Sequence, residues 1–347
     1  MCDTMTIGAA PAAAAPLHKR SRLSVITPAY NEERNLPVLY ERLRGVLDKL
    51  DVDWEWIVTD DHSSDRTFEV LSEMGHRDRR VRALRFSRNF GSHAGVSCGL
   101  RNAVGDCAVV LAADLQDPPE VIPQLLGAWQ SGAQVVWAVR GQREGEKATT
   151  LGMSGLFYWI MRNVIGMREL AATGADFFLI DRRVIEAYRE FDERNVNLFA
   201  LLSWMGFRQK TVSYTKEARL HGSSGWTLKK KLKLAVDSIT AFSYLPVRAM
   251  SWTGVFTAIA GFVYAAFIIF NAINGQPVEG WSSLMVVVML IGGFQMLMLG
   301  VLGEYVWRGL DEARRRPRYT IEDATATSLG VEVSNLPNAT PPLRHPS

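Results

Sequence analysis

Three short segments of this chain carry residue types from which chemistry can be built. They are Pro28-Ala29-Tyr30-Asn31-Glu32-Glu33, Asp60-Asp61-His62-Ser63-Ser64-Asp65 and Ala112-Ala113-Asp114-Leu115-Gln116-Asp117-Pro118-Pro119-Glu120. In the third, Asp114 follows an apolar run directly and Gln116 stands two residues on, which on an extended segment puts both oxygen donors on one side. Carboxylate and amide oxygens suit a hard divalent cation, Mg2+ or Mn2+, that keeps its other positions for water and phosphate oxygens. Some of the remaining acidity has an ordinary use. Asn31, Ser63 or Ser64, and Asp117 are placed to cap helices, Glu32, Glu33 and Glu120 suit a first helical turn, and capping accounts for Asp65, Asp117 and Glu120. No glycine-rich phosphate loop is present, so any phosphate has to be met by metal and arginines. Arg140 and Arg143 follow the fifth predicted strand, and Arg219 precedes the Gly222-Ser223-Ser224-Gly225 loop.

The elements that must hold these segments are legible as alternating periods. Leu23 to Thr27, Trp56 to Thr59, Val81 to Phe86, Ala108 to Ala112 and Gln134 to Val139 are short, β-branched apolar runs. Between them lie stretches of helical spacing such as Leu36 to Leu50 and Val121 to Trp129. This alternation predicts an α/β domain over 21–222, a mainly parallel sheet covered by helices on both faces. Ligands of such sheets bind beyond the carboxyl ends of the strands, where all three acidic segments fall.

The chain has 347 residues, with 39 Lys and Arg against 36 Asp and Glu, a net charge of +3. That balance disfavours a protein that coats nucleic acid. Cys2, Cys98 and Cys107 are an odd number without metal-ligand spacing, which points to neither a disulfide framework nor a zinc site. Mean hydropathy is near zero, yet the apolar content is concentrated late in the chain. Residues 249–273 carry no charge and exceed the roughly 30 Å of a bilayer's hydrocarbon core. Residues 282–307 stay uncharged until Glu304, with Gly292, Gly293, Gly300 and Gly303 where a neighbouring helix can approach. Lys and Arg crowd the outer flanks and are missing from the connector 274–281, so the spans predict a hairpin with both ends cytoplasmic. Trp226 to Tyr244 mixes a basic cluster that includes Lys229 with apolar residues at helical spacing. Such a segment suits the headgroup layer, within a juxtamembrane region 223–248. Residues 1–20 contain no signal-peptide core and read as a disordered tail, and 308–347 as a largely disordered cytoplasmic tail.

Together these segments resemble the family 2 glycosyltransferases of GT-A fold, and among them the polyisoprenyl-phosphate glycosyltransferases, whose bacterial undecaprenyl-phosphate glucosyltransferase branch is nearer than the mannose synthases. The resemblance spans residues 22–322. It is carried by Ser24 to Glu33, Asp60 to Asp65, Ser87-Arg88-Asn89-Phe90-Gly91, Ala113 to Glu120, Asp181-Arg182-Arg183-Val184, Gly303-Glu304-Tyr305 and Arg315-Arg316-Pro317-Arg318-Tyr319.

The resemblance implies that Pro28, Tyr30 and Glu32 hold a nucleoside while Val58 and Asp60 read its base, with Ala113 beside them. It implies that Asp114 and Gln116 carry the metal, that Arg140, Arg219 and Ser224 meet phosphate, and that Asp176 sits near the reacting centre. For Asp176, a turn or cap at a strand start is the bland alternative. Arg143, Ser224 and Lys229 are the candidates for a lipid phosphate. Ala112 replaces a further Asp of many relatives, His62 replaces a common Gly, and Gly225 stands where a Lys is frequent. The implied activity is transfer of one sugar, with inversion, from a nucleotide sugar (UDP favoured over GDP) to a polyprenyl phosphate at a bacterial inner membrane. A homo-oligomer, a tetramer, is implied as well. A lipid phosphate is already anionic near pH 7 and needs no strong base, in keeping with His62, His76, His93 and His221 forming no pair with a nucleophile. A processive polysaccharide synthase lacks support, since a Gln-x-x-Arg-Trp motif and further spans are missing. A non-catalytic scaffold would have to explain Asp114, Gln116 and the arginines.

Overall fold

Parallel strands covered on both faces must be apolar nearly throughout, and the predicted runs are. The computed structural model describes residues 20–141, 176–191, 198–217, 245–274 and 280–325. Within them β1 (Ser21–Ala29), β2 (Val52–Asp60), β3 (Val81–Phe86), β4 (Cys107–Val110), β5 (Val135–Arg140), β6 (Phe178–Asp181), β7 (Gln209–Tyr214) and β8 (Ile321–Ala324) form one sheet. Its order is β7-β5-β6-β4-β1-β2-β3-β8. The centre is parallel: β1 pairs with β2 and β4, and β2 with β3. β6 runs antiparallel between β4 and β5, β7 is parallel to β5, and β8 closes the far edge antiparallel to β3.

Helices cover both faces, as the sequence predicts. On one side lie α1 (Asn35–Leu47), α2 (Thr67–Arg77) and α4 (Ile122–Gln130), with α1 burying Leu36, Leu39, Leu43 and Leu47 at helical spacing. On the other lie α3 (Ser92–Asn102), α5 (Arg182–Arg189) and α6 (Leu198–Trp204), around Val96, Leu100, Val184 and Leu201. Gly95 and Gly99 let α3 lie directly on β1 and β2: a Cβ on Gly95 would stand 2.8 Å from Thr59 Oγ1, and one on Gly99 would overlap Ile26.

α7 (Leu245–Ile273) and α8 (Trp281–Ala313) contain the two apolar windows, Met250–Asn271 and Val286–Ala313, of mean hydropathy 2.0 and 2.2. Among the described residues neither window has a buried one, whereas the core helix of a soluble domain would be mostly buried. Both helices are long and apolar enough to cross a membrane. Residues 308–325, assigned by sequence to a largely disordered tail, are a correction: α8 continues to Ala313, and the chain then returns to the sheet as β8. The predicted juxtamembrane helix of Trp226 to Tyr244 lies outside the described residues.

One charge pair is buried within the sheet. Glu55 on β2 is 2% exposed and takes hydrogen bonds from Arg82 Nη1 at 2.7 Å, Ser24 Oγ at 2.6 Å and the Val104 amide at 3.0 Å. Arg22, half-exposed, stands 3.8 Å away. Arg82→Met leaves this carboxylate without its buried cation and is expected to lower the unfolding free energy by about 3 kcal/mol. Denaturant unfolding of the full chain in detergent checks this, and a loss under about 1 kcal/mol would mean that Arg22 or water compensates.

Candidate active site

The loops after β1 and β2 are built as one piece. Ser63 Oγ accepts from the Asn31 amide at 2.9 Å, and Asn31 Oδ1 accepts from the Ser64 amide at 2.9 Å. Asp65 accepts from the Glu33 amide at 3.3 Å and from the Thr67 amide at 3.0 Å, while Glu33 accepts from the Arg66 amide at 3.1 Å. Thr67 Oγ1 accepts from the Glu32 amide at 2.9 Å. Asn31 and Ser63 therefore tie loop to loop rather than cap helices, and α1 starts without a side-chain cap. Asp65 keeps an end-of-helix role at α2 through Thr67.

Asp60 and Asp61 close the piece from beneath. Asp60 Oδ1 accepts from the Ser63 amide at 3.1 Å, with Arg85 Nε 3.6 Å from its other oxygen. Asp61 accepts from the amides of Phe90 at 2.6 Å and Gly91 at 2.9 Å, joining the loop after β3 to the rim. Burial pushes both carboxyls above the usual carboxylate range, against these hydrogen bonds. Three non-glycine residues at the rim take left-handed φ: Asn31 at 58°, His62 at 59° and Leu115 at 60°. Such residues cost about 1–3 kcal/mol each and cluster at functional sites. At His62 the dihedral supplies the reason a glycine would be preferred there.

The third loop is different. Ala113 and Asp114 form a turn, so the extended segment expected there is a correction. Leu115 is buried, and Asp114 and Gln116 on either side of it are partly exposed. Asp114 Oδ1 accepts from the Gln116 amide at 3.2 Å. The buried Leu115 anchor, not strand alternation, leaves the two donors flanking one point of the rim. Among the described residues no group of three or more His, Cys, Asp or Glu could hold a metal. A cation here would rest on Asp114 and Gln116 and complete its shell with water and phosphate, as Mg2+ does when held by one carboxylate.

The rest of this loop is fastened to the exit of β7. Tyr214 Oη donates to Asp117 at 2.6 Å, Lys216 Nζ lies 3.4 Å from the same oxygen, and the Glu217 amide donates to Gln116 O at 2.9 Å. Asp117 is thus a buried acceptor for Tyr214 and Lys216, which corrects its assignment as a cap. Arg42 on α1 bridges Glu217 and Glu120 with four hydrogen bonds of 2.6–3.1 Å. Those with Glu217 and then Glu120 hold its guanidinium pKa above the ordinary value.

The sequence-predicted residues divide accordingly. Tyr30 is 49% exposed at the end of β1, Pro28 and Glu32 are partly buried beside it, and Ala113 is buried next to Asp114. Val58 and Asp60 are both 0% exposed, and Asp60 holds Ser63 in place through Oδ1. Arg140 ends β5 in register with Tyr214, and Asp176 is exposed just before β6. Arg143, Arg219, Ser224 and Lys229 lie outside the described residues. Sequence reasoning passed over Arg42, Thr67 and Tyr214, whose partners lie dozens of residues away. Asp181, noted only as part of a motif, caps α5 by accepting from the Arg183 amide at 2.9 Å.

A mainly parallel sheet of this order, with a carboxylate-amide turn at the rim and two appended apolar helices, is the arrangement expected of a glycosyltransferase of GT-A fold. The chain belongs to glycosyltransferase family 2, whose model, Glycosyl transferase family 2, matches residues 24–189. It is 37% identical over 321 residues to the uncharacterized glycosyltransferase YkcC of Bacillus subtilis, covering 92% of this chain and 98% of that one. It is 35% identical to the bactoprenol glucosyl transferase of Shigella phage SfV, covering 87% of this chain and 98% of that one. Among solved structures, mannosyl-3-phosphoglycerate synthase from Rubrobacter xylanophilus is 17% identical with a TM-score of 0.45, covering 67% of this chain and 75% of that one.

The pH dependence of stability probes the buried rim. A carboxyl raised in the folded state favours folding below its unfolded value, about pH 4, and loses that contribution as pH rises through the folded value. Asp60→Asn, which cannot ionise, is expected to gain on the wild type in thermal midpoint between about pH 4 and pH 7. A difference that does not change with pH would show that Arg85 offsets the burial of Asp60 in full.

Proposed function

We propose that this protein transfers a single hexose, glucose or a close relative, from a UDP-sugar to a polyprenyl phosphate at the cytoplasmic face of a bacterial membrane. One observation carries the reading: the partly exposed Asp114 and Gln116 lie on the rim of a sheet whose edge strand β8 follows the apolar helix α8 after the connection Arg314 to Thr320. A site for a charged donor and an anchor in lipid are thereby joined in one unit. The likeness to bactoprenol glucosyl transferases over nearly their whole length supports the lipid acceptor.

Asp114 and Gln116 would hold Mg2+ or Mn2+, which when bound neutralises the leaving diphosphate. Tyr30, Pro28 and Glu32 would line the nucleoside, with Asp60 acting beneath them as a support. A phosphate oxygen of the lipid forms the new bond to the anomeric carbon as the bond to the diphosphate oxygen breaks, and the electron pair leaves with UDP. Arg140 and Arg219 would stabilise that departing charge. Arg143, Ser224 and Lys229 would receive the lipid phosphate, and the exposed Asp176 would orient it. A tetramer would gather these sites at one membrane patch.

Full-length protein in nanodiscs with undecaprenyl phosphate, Mn2+ and a panel of UDP- and GDP-sugars tests the proposal. Turnover is expected with a UDP-hexose and is expected to fall about 100- to 1000-fold in Asp114→Ala. Turnover with GDP-mannose alone would move the donor to the mannose branch, and an active Asp114→Ala variant would overturn the metal assignment.

A further inference from the structure

Two segments that carry the family likeness, Ser87 to Gly91 and Arg315 to Tyr319, have no part in the chemistry above, and the structure brings them together. The chain leaving α8 turns at Arg315, which takes φ of 45°, and sends Arg318 into the domain. Arg318 Nη1 donates to Tyr188 Oη at 3.0 Å and Nη2 to Phe191 O at 2.8 Å. Tyr319 then stacks on Phe86 with ring centres 5.1 Å apart and planes at 19°. Phe86 in turn meets Phe90 edge-on at 5.6 Å. Thr320 O accepts from the Ser87 amide at 3.0 Å, so the strap grips both the start of the loop and its aromatic floor.

On its other side the loop is gripped by the rim. The amides of Phe90 and Gly91 donate to Asp61, and His62 Nδ1 lies 3.0 Å from Phe86 O. Glu322 of β8 stands 3.4 Å from the same His62 nitrogen. The loop follows β3, and β1 and β2 separate that strand from β4, whose loop carries Asp114. On the donor-site reading proposed above, its place is the nucleoside end, away from the diphosphate. Arg88 and Asn89, at its tip, are exposed.

We propose that Arg318 and Tyr319 are positioning residues for donor binding: by fixing the Ser87–Gly91 loop against Asp61, the chain that leaves the second apolar helix sets the nucleoside end of the donor site. This rests on reading the rim as a nucleotide-sugar site. Loss of the Tyr319 ring removes the stack on Phe86, which in turn meets Phe90, loosens the loop and weakens donor binding, while the Asp114 loop and the bond-breaking step are untouched.

The test is full kinetics of Tyr319→Leu in nanodiscs, with Tyr319→Phe as the conservative variant. The donor KM is expected to rise about tenfold in Tyr319→Leu, kcat to stay within about twofold, and Tyr319→Phe to restore the KM. A KM unchanged beside a lowered thermal midpoint, or a kcat that falls at constant KM, would overturn the proposal. Hydrogen exchange on the wild type needs no variant that might fail to fold. UDP with Mn2+ is expected to slow amide exchange in residues 87–91 and 319–321 together, and protection of the loops after β1 and β2 without these segments would also overturn it. Wild-type protein that binds no nucleotide would instead bring down the reading of the rim, and this inference with it.

Discussion

Buried carboxylates that accept backbone N–H groups are the constraint on which the rim of this protein depends. Removing a carboxylate from water is costly, and the cost is offset only when donors are already in place. Asp60 finds its donor, the Ser63 amide, within its own loop, whereas Asp61 accepts from the loop after β3 and Asp65 from the loop after β1, so the three loops are tied to one another. The strained dihedrals at Asn31 and His62 are held within that interlock. Most of the first two acidic segments is thus spent on shape. The third is pinned by Leu115 and by the Tyr214–Asp117 contact, which leaves Asp114 and Gln116 partly exposed.

The same logic ties the catalytic domain to its apolar helices. A four-residue strand is weak alone, yet β8 adds ladder hydrogen bonds to β3, places Thr325 against Ala83 and sits beside the Phe86–Tyr319 stack. Arg42, with its two glutamates, fastens the Asp114 loop to the exit of β7, beyond which the chain runs toward Arg219. Both edges of the proposed donor site are therefore continuous in sequence with chain that leads to or from α7 and α8.

Long-period features were legible in the sequence. Apolar runs and helical spacing gave the five strands β1 to β5 and the helices α1 and α4 to within a few residues, and uncharged length gave α7 and α8. Polar partnerships were not legible, because a carboxylate before a helix looks the same whether it caps that helix, as Asp181 does, or meets a tyrosine 97 residues away, as Asp117 does. Val58 and Asp60 were assigned to a ligand by likeness, while their burial follows from the neighbours on both sides of β2, which no local spacing reveals. β8 was passed over because a short strand next to a basic, polar tail carries almost no periodicity of its own.

A cation site with one carboxylate makes a specific thermodynamic demand: phosphate oxygens must supply what the protein does not. Mn2+ titration of the full-length protein by electron paramagnetic resonance, with and without UDP, measures this directly. The account predicts weak Mn2+ binding alone, tight binding once UDP is present, and loss of the UDP-dependent gain in Asp114→Ala. Tight Mn2+ binding without nucleotide, or UDP binding that survives chelation of all divalent metal, would contradict it.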